Sequence, residues 1–179
     1  MSNQAKASKL ARTSFDQWQA GALEQARLLY EEAISHTDTQ HYALPLYHGE
    51  FACVLNQLGQ RDLATVQLEK ALAAEIAQGE PEGSPGVLIA RYVLAVQLHR
   101  LGDSHHALDI LSPSIRHAPG HWLTRVEEAL ILYALDRKVE ARNVAALAVA
   151  NASTAEKAEQ LRQHLHEVLA FSGLDTGLA

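Results

Sequence analysis

A pattern of small and apolar positions recurs four times along the chain. Each copy has a turn residue, an alanine five residues later, and further apolar positions at helical spacing. The alanines are Ala26, Ala64, Ala107 and Ala141. The turn residues before them are Gly21, Gly59, Gly102 and Asp136. Successive alanines are 38, 43 and 34 residues apart, which brackets the period of about 34 residues expected for a helix–turn–helix repeat. The pattern therefore predicts a chain of helical hairpins.

Apolar residues at spacings of three and four predict nine helices, and period-2 runs typical of strands are rare. The predicted helices cover residues 5–20, 22–36, 40–58, 62–78, 87–101, 104–117, 121–135, 138–150 and 155–172. Pairs of these helices form four predicted repeats over about residues 5–36, 40–78, 87–118 and 121–150. The ninth helix is more polar on one face, as a terminal capping helix must be. We expect a single all-α domain over residues 1–179.

Glycine, proline and capping residues mark the predicted breaks. Residues 79–86 hold two prolines and three glycines and are predicted to form a loop, a surface extension rather than a flap over a groove. Residues 37–39 offer an N-cap for the third helix, with Pro45 in or near its first turn. Pro113 falls late in the sixth helix, where it predicts a kink or an early stop. Residues 173–179 are predicted to be a frayed tail.

Composition excludes some functional classes. The net charge is −6, so a nucleic-acid partner, which needs a clustered basic face, is not expected. The longest apolar run, residues 145–150, is far shorter than the roughly 20 residues of a membrane span. Residues 1–6 do not resemble a signal peptide. Cys53 is the only cysteine and cannot form an intrachain disulfide, which favours a cytoplasmic location.

The repeats carry a recognisable motif. The third reads Arg91-x2-Leu94-Ala95-x2-Leu98, followed by Ala107-x3-Leu111 and Pro119. This resembles the tetratricopeptide repeat, with its Trp-x2-Leu-Gly-x2-Tyr first helix, Ala-x3-Phe second helix and closing Pro. Small residues occupy the glycine position in all four repeats, namely Ser14, Ala52, Ala95 and Ala129. The fourth repeat departs from the motif by placing Glu128 at a core position. The resemblance covers about residues 5–150 and implies a right-handed α-solenoid of about four repeats with a C-terminal capping helix.

In this family the first helix of each hairpin lines a concave groove that binds peptides. The resemblance therefore implies a non-catalytic protein-interaction scaffold, adaptor or secretion-chaperone-like, whose groove holds an apolar or amphipathic segment of another protein. The predicted partner-binding residues are Arg12, Phe15, Trp18, Glu50, Cys53, Asn56, Tyr92, Val96, His99, Arg100, Glu127, Leu130 and Tyr133. Several of these could instead pack inside the hairpins. The Lys, Asn and Arg positions of the family's carboxylate clamp hold Ala11, Phe15, Glu50, Ile89 and Val93, so a clamp is not expected.

Catalytic and metal-binding patterns are weak. The chain has ten histidines, but even the cluster of His105, His106 and Asp109 forms no spacing with a known metal mechanism. We expect no metal, no cofactor and no enzymatic activity. Cys53 is interpreted as a small hydrophobic residue of the core or groove wall. A role as a nucleophile would need an activating histidine, for which His48 and His99 are the conceivable neighbours.

Two other functional classes remain open at the level of the sequence. One is a self-assembling structural module, whose groove is filled by another subunit or by its own terminus, which predicts a homo-oligomer. The other is a regulator that senses a small peptide or ligand. An oligomer of the purified protein would favour the first alternative, whereas a monomer or weak dimer with an open groove would favour the adaptor.

Overall fold

The structure of the protein is a computed structural model that describes residues 3–169, and within them there are nine α-helices and no β-strand. The first five helices are α1 (Asn3–Gln19), α2 (Leu23–Ser35), α3 (Leu44–Gln57), α4 (Arg61–Ala77) and α5 (Pro85–Arg100). The other four are α6 (Ser104–His117), α7 (Trp122–Ala134), α8 (Lys138–Ala150) and α9 (Ala155–Leu169). The predicted all-α fold is confirmed. Residues 170–172 of the predicted ninth helix and the predicted tail lie outside the described residues.

The turn inside each hairpin has the same backbone geometry in all four repeats. Gly21, Gly59 and Gly102 have φ of +79°, +75° and +87°, and Asp136 has φ of +59°. In each copy the next residue donates its N–H to the carbonyl five residues earlier, as Ala22 does to Gln17 and Arg137 does to Leu132, both at 2.9 Å. This is the Schellman pattern, which requires a left-handed residue and therefore favours glycine. Asp136 thus occupies the glycine position of the fourth hairpin.

The small residues of the repeat are buried, as predicted. Ala26, Ala64, Ala107 and Ala141 have no exposed surface. The small residues of the first helices are equally buried. Side chains of this size allow two helices to approach closely, which agrees with the predicted burial of the four alanines. The exact register of the repeats stays a prediction.

The chain divides into two compact units, Met1–Ala90 (the N-terminal unit) and Arg91–Ala179 (the C-terminal unit). Both boundary residues lie within α5. In the N-terminal unit α2 packs between α1 and α3, α3 packs on α4, and α1 also touches α3. The ring of Tyr30 stacks on that of Phe51, with centroids 6.0 Å apart. The expected single domain stays a prediction.

In the C-terminal unit α7 packs against α6 and α8, and α9 packs against α8 and α7. One hydrophobic core joins α7, α8 and α9. It contains Val126, Ala129, Leu132, Ala141, Ala145, Ala148, Val149, Leu161 and Leu165. Among the described side chains of α9, Leu161 and Leu165 are buried, and most of the others are exposed and polar, as predicted for a capping helix.

The structure corrects the predicted start of the third helix, which begins at Leu44 rather than at residue 40. The preceding residues form turns, in which the N–H of His41 bonds the carbonyl of Asp38 and the N–H of Leu44 bonds that of His41. Residues 37–39 therefore do not cap α3, whose N-cap is Ala43. Pro45 lies in the first turn, as expected, because that is where its missing N–H costs least.

The structure corrects the prediction at Pro85 and rules out one of the two alternatives at Pro113, while the kink expected there stays a prediction. The loop ends at Ser84, because Pro85 starts α5, and a first helical position needs no N–H donor. The sixth helix does not stop early at Pro113 but continues to His117. Leu111 and Ser114 are fully buried on either side of this proline, and their packing maintains the helix despite the missing hydrogen bond.

Candidate functional site

The first candidate surface, called the N-terminal face, comprises predicted residues of α1 and α3. These are the first helices of two successive hairpins, and they contact each other. The predicted residues are Arg12, Phe15 and Trp18 of α1 and Glu50, Cys53 and Asn56 of α3. The rings of Phe15 and Trp18 form an edge-to-face pair with centroids 5.7 Å apart at 87°. Phe15 is 39% exposed and Trp18 is half-buried. The pair leaves aromatic surface accessible on a rigid helix.

The carboxylate of Glu50 is hydrogen-bonded to a residue of α2. The hydroxyl of Tyr30 donates a hydrogen bond of 3.0 Å to Glu50 Oε2. Burial raises the pKa of Glu50, and burial followed by the charge of Glu50 raises the pKa of Tyr30. The carboxylate of Glu50 therefore already has a hydrogen-bond partner within the protein. Tyr30 was missed as a supporting residue, although its place at the aromatic position of the second helix was visible in the sequence.

Cys53 lies one helical turn from Glu50 and is exposed. Partial removal from water raises the pKa of its thiol, and the charge of Glu50 adds to this shift. The thiol form therefore dominates near neutral pH, which fits a wall residue better than a nucleophile. His48 is buried, and its Nδ1 lies 2.8 Å from Gln67 Oε1. Its ring is thus occupied by an interaction with α4.

The second candidate surface, called the C-terminal face, combines α5 and α7. Its predicted residues are Tyr92, Val96, His99, Arg100, Glu127, Leu130 and Tyr133. His99 Nδ1 lies 2.8 Å from Glu127 Oε1, which links the two helices. The side chains of His99 and Glu127 are 23% and 7% exposed. Since a carboxylate oxygen accepts, Nδ1 of His99 is the donor in this hydrogen bond.

Tyr92 and Arg100 lie around this pair. Burial raises the pKa of Tyr92, the carboxylate of Glu127 raises it further, and the nearby Arg100 guanidinium opposes the shift. Tyr92 therefore lies within electrostatic range of both Glu127 and Arg100. Tyr92 is half-buried, and Arg100 is exposed in the last turn of α5.

The apolar members of the C-terminal face are Val96, Leu130 and Tyr133, and all are half-buried. Leu130 and Tyr133 pack against the core of the C-terminal unit. The ammonium of Lys138 lies 6.0 Å from the centre of the Tyr133 ring. These contacts restrain the side chains while leaving part of their surface open.

Two acidic residues differ from their expected environment. Glu127, expected to project toward a partner, is buried and already paired with His99. Its role in binding stays a prediction. Glu128, at a core position of the motif, is half-buried and accepts a hydrogen bond of 2.7 Å from Arg125, whose Nε donates to the carbonyl of Pro119. This pair could have been predicted from the sequence, because Arg125 stands three residues before Glu128 on the same helix.

Elsewhere, an open cavity of about 410 Å³ lies between α1 and α2, and no sequence pattern predicts it. It is lined by Asn3, Lys6, Lys9, Leu10, Thr13 and Leu29. Within residues 3–169, no three His, Cys, Asp or Glu side chains cluster in a way that could hold a metal ion. Over the same residues, no helix has the length and apolar character needed to cross a membrane.

Comparison with known proteins identifies the fold. No family model matches the chain. No curated protein matches it either. Among solved structures, MamA from residue 41 to its end, from Desulfovibrio magneticus RS-1, is 16% identical with a TM-score of 0.65, over 96% of this chain and 98% of that one. A crystal structure of MamA is 14% identical with a TM-score of 0.63, over 90% and 81%.

A third similar structure is YrrB, described as a TPR protein with an unusual peptide-binding site. It is 17% identical with a TM-score of 0.54, over 92% of this chain and 87% of YrrB. At these identities the likeness establishes the fold. The chain has the all-α fold of the tetratricopeptide-repeat solenoids, as the repeat motif predicted.

Proposed function

We propose that the protein is a non-catalytic protein-interaction scaffold that binds an apolar or amphipathic segment of a partner protein. The C-terminal face carries this proposal. There, aromatic and apolar side chains of two first helices remain half-exposed around the fixed pair of His99 and Glu127. A peptide-binding site in the structurally similar YrrB supports the same type of function for this fold.

The side chains of the C-terminal face suit binding on energetic grounds. Tyr92 and Tyr133 supply large contact areas, and their helices and neighbours already restrain them, so binding loses little side-chain entropy. Tyrosine is also enriched among the residues that dominate binding energies. The Phe15–Trp18 pair gives the N-terminal face the same character. Each unit therefore offers a restrained aromatic surface to a partner.

The more specific role is an adaptor or secretion-chaperone-like helper in the cytoplasm, without an enzymatic activity. The single cysteine and the net charge of −6 support this setting and argue against a nucleic-acid partner. The raised pKa of the Cys53 thiol further argues against its use as a nucleophile.

A capture experiment followed by titration tests the proposal. The immobilised protein is exposed to the native lysate, and the retained partner is purified and titrated against wild type and Tyr92→Ala. We expect Tyr92→Ala to weaken binding by roughly 1–3 kcal/mol, or about 5- to 150-fold, with an unchanged helical circular dichroism signal. Glu140→Ala, which removes an exposed charge on α8, is the matched control and should bind as wild type does. Equal affinity of Tyr92→Ala and wild type would contradict a site on this face.

Self-assembly is the second candidate function. It is supported by large exposed apolar side chains on a second helix, namely Leu63, Val66 and Ile76 of α4. Leu63 and Val66 lie one helical turn apart, and neighbouring exposed apolar side chains can be covered in an assembly. Static light scattering of the purified protein distinguishes the two candidates. A stable oligomer favours self-assembly, and a monomer favours the adaptor.

A further inference from the structure

We propose that the segment bound by the C-terminal face carries an internal Asp or Glu side chain that pairs with Arg100. This inference rests on the proposed function, because it names the chemistry of the partner at the same face. It concerns a side-chain carboxylate within an apolar segment rather than the free carboxyl end of a chain.

The charges of the C-terminal face carry the inference. Glu127 is buried, and His99 satisfies its carboxylate at 2.8 Å. Arg100 is exposed, and among the described residues it forms no ion pair or hydrogen bond. The acid of the face thus already has a hydrogen-bond partner within the fold, whereas the guanidinium of Arg100 has none among the described residues. The face therefore offers an exposed guanidinium for pairing, although the whole chain is net negative.

The N-terminal face has the same arrangement. Its acid, Glu50, is held by the hydroxyl of Tyr30 at 3.0 Å. Its cation, Arg12, is exposed one turn before Phe15 and likewise forms no ion pair or hydrogen bond within residues 3–169. Among the described residues, two faces built from different helices therefore each present an exposed arginine without an ion pair near aromatic side chains.

The position of Arg100 in α5 favours pairing with a side-chain carboxylate within the bound segment rather than with a terminal carboxylate. Ile89 and Val93 occupy the places in α5 where a carboxylate clamp would need charged groups. Arg100 lies at the other end of α5, beside the half-buried Tyr92 and Val96 side chains. An apolar segment lying on these side chains would bring one of its own acidic residues to the guanidinium. A planar guanidinium can bind a carboxylate through two parallel hydrogen bonds.

Selection from a peptide library tests the inference without a known partner. Random 16-residue peptides are displayed on phage through their C-termini, so that none has a free terminal carboxylate, and are selected on the wild-type protein. The enriched peptides are synthesised with amidated ends. Their dissociation constants are measured by fluorescence anisotropy for wild type, Tyr92→Ala, Arg100→Gln and the matched control Arg116→Gln. Arg116 is an exposed arginine of the same unit, on α6.

We expect the enriched peptides to combine apolar residues with Asp or Glu. Arg100→Gln should weaken their binding by about five- to thirtyfold, as expected for one partly exposed charge contact, and Arg116→Gln should change it less than twofold. Changing the acidic residue of the peptide to Lys should also weaken binding to wild type. Part of that loss should be recovered with Arg100→Glu.

The two ways of failing are distinct. Peptides that lose affinity with Tyr92→Ala but bind Arg100→Gln and wild type equally would overturn the inference and leave the proposed function intact. Absence of enrichment, or peptides whose affinity is unaffected by either variant, would overturn both.

Discussion

The hydroxyl of Ser14 in α1 donates a hydrogen bond of 2.6 Å to the carbonyl oxygen of Ala26 in α2, and both residues are fully buried. Ser114 in α6 is buried to the same degree, but its hydroxyl has no hydrogen-bond partner among the described residues. Ser114 stands seven residues after Ala107, where the other three repeats have the buried residues Ala33, Ala71 and Ala148. The same side chain therefore joins two helices at one site and leaves an unpaired polar group at the other.

This contrast predicts opposite effects of the same substitution. Ser14→Ala should lower the free energy of unfolding by about 0.5–1.5 kcal/mol, because it removes a buried hydrogen bond. Ser114→Ala should raise it by up to about 1 kcal/mol, because it removes a buried hydroxyl that the fold does not satisfy. Urea unfolding followed by circular dichroism measures both. A destabilised Ser114→Ala protein would mean that its hydroxyl is paired in solution.

The fully buried alanines predict intolerance to larger side chains. Ala64→Leu and Ala107→Leu should each destabilise the protein by roughly 1–3 kcal/mol, because no space is left between the packed helices. Ala73→Leu, at an exposed position of α4, is the control and should have little effect. Thermal unfolding of the three variants makes the comparison. Unchanged stability of both buried-site variants would refute the assigned register.

Asp136 predicts a stabilising substitution in the fourth hairpin. Its φ of +59° is unfavourable for a side chain with Cβ, so Asp136→Gly should stabilise the protein by about 0.5–1 kcal/mol. Its ion pair with Lys138 is exposed and contributes little. The reverse change, Gly59→Ala, should destabilise by about 1 kcal/mol through the backbone alone, since nothing lies within 4 Å of the added Cβ. Equal unfolding temperatures for Asp136→Gly and wild type would argue against strain at this turn.

The buried histidine of α3 predicts a loss of stability in mild acid. Burial lowers the pKa of His48 from its ordinary value of 6.5, so below that pH the unfolded chain binds the proton that the folded chain resists. Stability should therefore be full above about pH 6.5 and fall as the pH decreases through that value, by at most about 1.4 kcal/mol per pH unit for one proton.

His48→Gln removes the titrating imidazole and should make the free energy of unfolding depend less on pH between pH 7.5 and 5. Part of the slope should remain, because burial also lowers the pKa of His121. The raised pKa values of Glu50 and Glu75 act in the opposite direction, since protonation relieves the cost of burying their charges. The informative quantity is therefore the difference between wild type and His48→Gln in urea unfolding at each pH. Parallel pH profiles would rule out His48 as a source of the effect.

Local chemistry made most of the fold predictable. The glycine turns depend on backbone freedom, and the alanines that follow them depend on side-chain size. Both properties follow directly from the residue type. Asp136 could be placed at the fourth turn because its neighbours keep the same spacing. Composition alone predicts a loop at Pro85, because proline is compatible both with a loop and with the first turn of a helix.

The candidate faces were only partly predictable. The sequence assigned their residues to first helices, but not the contacts that decide which charges stay free. Tyr30 and Glu50 are separated by 20 residues, and His99 and Glu127 by 28. Such pairs depend on how successive hairpins pack, which no local pattern specifies. Glu127 could therefore be placed on α7 from its sequence, whereas its burial against His99 could not.

Binding at the C-terminal face is tested most directly by mapping it in solution. A two-dimensional ¹H–¹⁵N NMR titration of the labelled protein with the captured partner's segment, or with a selected peptide, reports which amides change. We predict the largest chemical-shift changes over residues 92–100 of α5 and 127–133 of α7, and their loss in Tyr92→Ala. Changes confined to the second helices α6 and α8, with those two segments unaffected, would contradict binding at this face.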